Sequence, residues 1–229
     1  MEELRQNEVR TTNKLSKKWT YVIGLIIVLG SEFILRDVFL PEHAKNIHIG
    51  MAVLAEWLIL LILLSFWIPK IEGNKLGSIG FGKFKWKHLW MGILTYLILM
   101  IVWTGSGFAL KSIGLEELRS LQPMIKEYSP LILFSLFLTG TFLEEVFYRG
   151  YLIERLTSLT GRRWLGAIVS WLAFTFVHLK FFGLGPTIDV SILSAALVLL
   201  YLKERSIWPC IIVHGINDAF GFLIFPLLM

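Results

Sequence analysis

Three groups of polar residues interrupt otherwise apolar stretches of this 229-residue chain. The first is Thr141-Phe142-Leu143-Glu144-Glu145-Val146-Phe147-Tyr148-Arg149-Gly150. A charge at the centre of a bilayer costs at least about 2.5–3.5 kcal/mol on insertion scales, so an ionisable group there points to function. Glu145 and Arg149 are four apart, on one helix face, where they can pair. Glu144 points about 100° away and lacks that local partner. A carboxylate so placed suits a general base that takes a proton and gives it back. The bland alternative is a span ending at Leu143 with both acids in water. The second group is Phe174-Thr175-Phe176-Val177-His178, where the histidine alone reads equally as an interfacial residue. The third is His214-Gly215-Ile216-Asn217-Asp218. His214 shares a face with Asn217 and Asp218; a packed polar network between helices is its bland reading.

The elements that must carry these residues follow from composition. Hydrophobic residues make up 55% of the chain before glycine is counted, against about 45–50% with glycine included in a soluble domain. Charged residues fall to 17%. These values exclude a disordered chain, a coiled coil and an ordinary soluble enzyme. A helix crossing about 30 Å of hydrocarbon needs about 20 residues. Apolar runs fall at 19–35, 50–68, 89–110, 130–143 with helix beyond, 164–177, 187–202 and 207–228. The expectation is an all-α, polytopic membrane bundle of about seven transmembrane helices. Its organisation reads as an N-terminal arm over 1–18, N-terminal transmembrane helices over 19–129 and a catalytic core over 130–229.

The net charge of +5 calls for no nucleic acid partner, because the basic residues lie between the runs as topology signals. Sixteen of the 22 Lys and Arg, Arg149 among them, fall in the arm and the second, fourth and sixth connections. That alternation predicts a multi-pass protein of the cell membrane with a cytoplasmic N-terminus and an external C-terminus. Trp19, Trp67, Trp86, Trp90, Trp164 and Trp208 fall at the inner ends, where amphipathic rings prefer to sit. The polar start and the lack of a cleavage site make the first run a retained anchor. The single cysteine, Cys210, excludes an internal disulfide.

Geometry joins the groups. Glu144 lies 17 residues before Gly161 and His178 lies 17 after it. An antiparallel hairpin turning at Gly161 sets both side chains level, about 25 Å from the turn. Part of the first helix then projects below the membrane, which Glu154, Arg155, Arg162 and Arg163 permit. A carboxylate and an imidazole at one depth, with a third polar group on another helix, is the layout of a buried hydrolytic site.

Glu144-Glu145-x-x-x-Arg149, Phe174-x-x-x-His178 and His214-x-x-(Asn217/Asp218), in that order on late helices, resemble the CPBP family of CAAX proteases and bacteriocin-processing (Abi) proteins. The approach to the third motif, Leu202-Lys203-Glu204-Arg205-Ser206-Ile207-Trp208-Pro209, is similar to that family too. The resemblance covers about Pro130 to Phe222. It implies an intramembrane glutamate-dependent endopeptidase acting on membrane-bound proteins or peptides within the lipid bilayer. It implies that Glu144 and His178 activate a water, that His214 and a neighbouring amide stabilise the oxyanion, and that Glu145 and Arg149 support the site. The family usually has Asn four residues after the third-motif His; here that place holds Asp218, and Asn217 stands at three. A carboxylate cannot donate to an oxyanion unless protonated. Either Asn217 takes the role, Asp218 is neutral, or the oxyanion site is weaker.

Rival chemistries remain on the same residues. Glu144, His178 and His214 are a plausible zinc set, although there is no His-Glu-x-x-His; the cofactor expectation is none, with zinc as the alternative. Cys210 and His214, four apart, could form a nucleophile and base, although a lone membrane cysteine is more often a small apolar filler. A bacteriocin self-immunity or peptide-binding bundle would need no hydrolysis. A transporter would show repeats or paired broken helices, which the sequence lacks. Glu32 and Glu56 lie at similar depth in the outer half, and Glu32 can pair with Arg36. Substrate identity and oligomeric state are not written in the sequence.

Overall fold

The computed structural model describes residues 2–39, 46–114, 128–224 and 226, without the side chains of 2–16, 36–39, 180 and 181. Among the described residues the chain is mostly helical, with seven long helices, a short 3-10 turn at Leu76–Ile79 and no strand. Helix α1 spans Glu2–Phe39, and α2 runs from Asn46–Ile62 into a wider π-helical end, Leu63–Ile71. Helix α3 is Trp86–Ser112. Helix α4 is continuous from Pro130 to Thr160, built as Pro130–Leu138, a π-helical stretch Thr139–Leu152 and Ile153–Thr160. Helices α5, α6 and α7 are Arg163–Phe182, Leu184–Glu204 and Trp208–Asp218, the last extended by a π-helical end, Ala219–Ile224. The expected pairing of Glu32 with Arg36 lies outside the described residues.

Among the described residues, five helices are long and apolar enough to cross a membrane, and α5 and α7 each offer a shorter apolar stretch of 17 residues, Arg163–Leu179 and Trp208–Ile224. The chain is a helical membrane bundle, with seven long helices among the described residues. The fourth run continues as a helix to Gly161, as expected. The fourth run, short by hydropathy, belongs to a 31-residue helix, because its polar second half is buried by protein and needs no lipid.

Helix α4 is the axis of the bundle. Residues 143–155 are buried on every side, as expected of a helix surrounded by others. It starts at Ser129, whose Oγ accepts from the Ile132 N–H at 3.4 Å, with Pro130 following. It stops at Gly161, whose φ of +71° provides the left-handed residue that ends many helices. That stop turns the chain into α5, which packs back along α4. Helix α6 lies on α5, α7 lies on α4, and α3 lies outside on α7. Helix α1 approaches α4 closely at Gly24, where a Cβ would collide with the Tyr151 hydroxyl and meet Trp67 Nε1 at 2.7 Å.

The Gly161 end of α4 differs from the solvated one expected. Arg162 and Arg163 are exposed, but Glu154 and Arg155 are buried. The connection after α2 folds inward onto Arg155, and the C-terminal end of α6 supplies the partners of Glu154. Arg155 pairs with Glu72 at 2.6 Å and donates to Ser78 Oγ at 3.0 Å. Glu72 also accepts from the Tyr151 hydroxyl at 2.6 Å. Glu154 accepts from Arg205 and from the Tyr201 hydroxyl, both at 2.8 Å. Gly150 admits this connection, since a Cβ there would meet the Ile79 carbonyl at 2.8 Å.

Candidate active site

The site is built on the π-helical stretch of α4. Such i→i+5 segments are rare and recur at functional sites. Here the widened turn presents two successive carboxylates to two different neighbours. Glu144 faces α5 and Glu145 faces α7. Both are buried, with Glu145 fully enclosed.

Glu144 and His178 meet as the hairpin arithmetic requires. His178 Nε2 stands 4.0 Å from Glu144 Oε2. The imidazole is oriented by its other nitrogen, 2.8 Å from the Phe174 carbonyl one turn back. A carbonyl only accepts, so that Nδ1 carries the proton. In the neutral ring Nε2 then turns its lone pair to Glu144. The ring also stacks on Phe174, centroids 4.3 Å apart.

The second carboxylate is tightly bonded. Glu145 Oε1 accepts from Arg149 Nη1 at 2.9 Å and from His214 Nδ1 at 2.7 Å. Arg149 is fully buried and also donates from Nη2 to Ser194 Oγ on α6 at 3.0 Å. Its guanidinium lies 4.3 Å over the Phe174 ring. Phe174 thus touches Arg149, His178 and, edge-on at 5.9 Å, His214. One aromatic ring connects the two halves of the site.

On α7, His214 Nε2 faces Asp218 Oδ2 at 3.6 Å. Asn217 is half-buried and donates from Nδ2 to Asp218 Oδ1 at 3.0 Å. The wall opposite Asp218 is Gly140, where a Cβ would collide with Asp218 Oδ2 and lie 3.7 Å from His214 Nε2. All seven singled-out residues, Glu144, Glu145, Arg149, His178, His214, Asn217 and Asp218, therefore come together. Ser194 and Gly140 were not expected. Ser194 sits in an apolar helix with no motif to mark it. Gly140 had a faint signal, a glycine inside an apolar run five residues before Glu145.

The rival arrangements can be placed as well. Cys210 is fully buried and its thiol points to the Leu197 carbonyl at 3.4 Å, away from His214, whose Nδ1 is engaged by Glu145. Among the described residues no three His, Cys, Asp or Glu side chains are grouped as a metal site; Glu144 faces His178, while the free edge of His214 faces Asp218. Glu32 is buried against the Tyr148 hydroxyl at 3.4 Å, and Tyr148 in turn sets its ring at 5.0 Å on Phe174.

Residues 126–220 match the family model described as type II CAAX prenyl endopeptidase, Rce1-like. No curated protein and no solved structure matches the chain. The matched segment begins just before α4 and contains every residue of the site. Residues 126–220 hold this entire constellation, and their similarity to that family model supports the CPBP/CAAX protease family.

Proposed function

We propose that the protein is an intramembrane endopeptidase of the CAAX type that hydrolyses peptide bonds with a water activated by Glu144 and His178. The observation that carries this reading is the facing of Glu144 Oε2 and His178 Nε2 across 4.0 Å. That separation is too long for a direct hydrogen bond, and a water bonded to both atoms fits it. Glu144 takes a proton from this water as its oxygen attacks the carbonyl carbon. His178 Nε2 accepts the second water proton as a hydrogen bond and aims the oxygen. The tetrahedral oxyanion collapses, the C–N bond breaks, and the proton held by Glu144 passes to the leaving amine.

The oxyanion falls to α7. With Nδ1–H engaged by Glu145, His214 donates to an oxyanion only from a protonated Nε2. Glu145 and Asp218 flank the ring, so the counter-charge for that form is in place. Asn217 Nδ2 is the other nearby donor, and its bond to Asp218 must open for it to serve. Glu145 and Arg149 hold His214 rather than react. The reading uses no metal.

The match to prenyl endopeptidases favours a membrane-tethered substrate cut near its lipid attachment. We further propose a cytoplasmic N-terminus and an external C-terminus. Arg149 is interior and belongs to no connection, yet the inner side keeps 15 basic residues against 6. Cleavage of a panel of membrane-tethered peptides, lipidated and plain, by wild type and Glu144→Ala tests the activity. The reading expects wild type to cut at least one and Glu144→Ala none. Wild type that cuts nothing, yet still protects cells from a peptide toxin after Glu144→Ala, would replace catalysis with binding.

A further inference from the structure

Ser194 is a fully buried hydroxyl on α6, a helix that contributes nothing else to the site. Its Oγ accepts from Arg149 Nη2 at 3.0 Å. Arg149 has few other anchors. Nη1 goes to Glu145, the flat face rests on Phe174, and Nε has no hydrogen-bond partner. Neither the aromatic face nor a single bond at Nη1 stops the guanidinium from swivelling in its own plane. A second bond, at Nη2, does. The fixed guanidinium then fixes Glu145 Oε1, which is shared with His214 Nδ1 at 2.7 Å. Glu145 Oε2 has no hydrogen-bond partner to hold the carboxylate instead.

We propose that Ser194 is a positioning residue. Acting through Arg149 and Glu145, it sets the orientation of His214 and the hydrogen bond at its Nδ1, and so ties α6 to the reacting centre. The polar line Ser194, Arg149, Glu145, His214 crosses from α6 through α4 to α7. Each link is a buried donor–acceptor contact, where loss of one partner leaves the next group unsatisfied. The kinetic consequence rests on the endopeptidase reading above; the structural one does not.

The test uses the full chain in detergent, with ¹⁵N-labelled histidine and the His214 imidazole signals assigned by their loss in His214→Gln. Ser194→Ala is expected to shift the His214 Nδ1–H signal and to lower kcat about tenfold, equivalent to about 1.4 kcal/mol, with KM within about twofold. Ser170→Ala is the control. Ser170 is equally buried but bonds only to the Tyr148 carbonyl at 2.8 Å, so it should leave the His214 signal in place. If Ser194→Ala does not fold, Ser194→Cys takes its place; its weak acceptor should give a smaller shift in the same sense. A His214 signal unmoved in the Ser194 variant, or moved as much by Ser170→Ala, overturns the proposal. Wild type without activity would sink the endopeptidase reading, while the His214 signal still decides the role of Ser194.

Discussion

Glu144 and Glu145 are neighbours in sequence, yet they occupy two different kinds of surroundings. Glu145 is fully enclosed and bonded at one oxygen to both Arg149 and His214. Glu144 faces His178 across 4.0 Å, a gap wide enough for a reacting atom. The tight side gathers Arg149 and His214 on one oxygen of Glu145, although Arg149 Nε has no hydrogen-bond partner. The loose side holds its two facing atoms 4.0 Å apart. The π-helical turn of α4 makes the contrast possible by sending adjacent side chains to separate helices. The two carboxylates therefore differ in what surrounds them: Glu145 shares one oxygen between Arg149 and His214, and Glu144 stands opposite His178.

The largest expected effect lies on the tight side. Glu145→Gln removes the charge that Arg149 needs. Breaking a buried pair from one side costs about 3–5 kcal/mol, so thermal unfolding in detergent should begin at clearly lower temperature and the yield should drop. An unchanged melting curve would mean that Glu145 is not the scaffold carboxylate. On the loose side, His178→Ala should lower single-turnover cleavage by about 10² or more, the usual worth of a positioned proton-handling group. Its melting temperature should move little beside that of Glu145→Gln. If His178→Ala unfolds as readily as Glu145→Gln, the two sides are not distinct.

A smaller effect is expected at Gly140→Ala. The methyl must displace Asp218 Oδ2, so activity should fall by roughly three- to tenfold while the helix gains a better former. Wild-type activity in that variant would show that Asp218 need not stand beside His214. The smallest effect is expected from chelation. Activity should persist in strong chelator, and purified protein should carry no stoichiometric zinc by elemental analysis. Loss in chelator with recovery on zinc alone would hand Glu144, His178 and His214 to the metal reading.

Much of this contrast was legible in the sequence. The i, i+4 spacing of Glu145 and Arg149 specified their pair, and equal distances from Gly161 specified the level of Glu144 and His178. Both follow from helix geometry over short separations. Ser194 was not legible, because its meeting with Arg149 depends on how α6 is rotated against α4, and no local pattern encodes that rotation. The buried positions of Glu154 and Arg155 were hidden for a related reason. Arg155 is met by Glu72 and by Ser78, the latter 77 residues earlier, and Glu154 by Tyr201 and Arg205, 47 and 51 residues later.

The central claim is that Glu144 is the base and not a structural group. Its most direct test is single-turnover cleavage by Glu144→Gln, measured beside its melting temperature, on a membrane-tethered peptide that wild type cuts. The amide keeps the shape of the side chain but cannot take a proton from water. The account predicts a loss of about 10²–10⁴ in rate with a melting temperature near that of wild type. A Glu144→Gln variant that cleaves at the wild-type rate would contradict it.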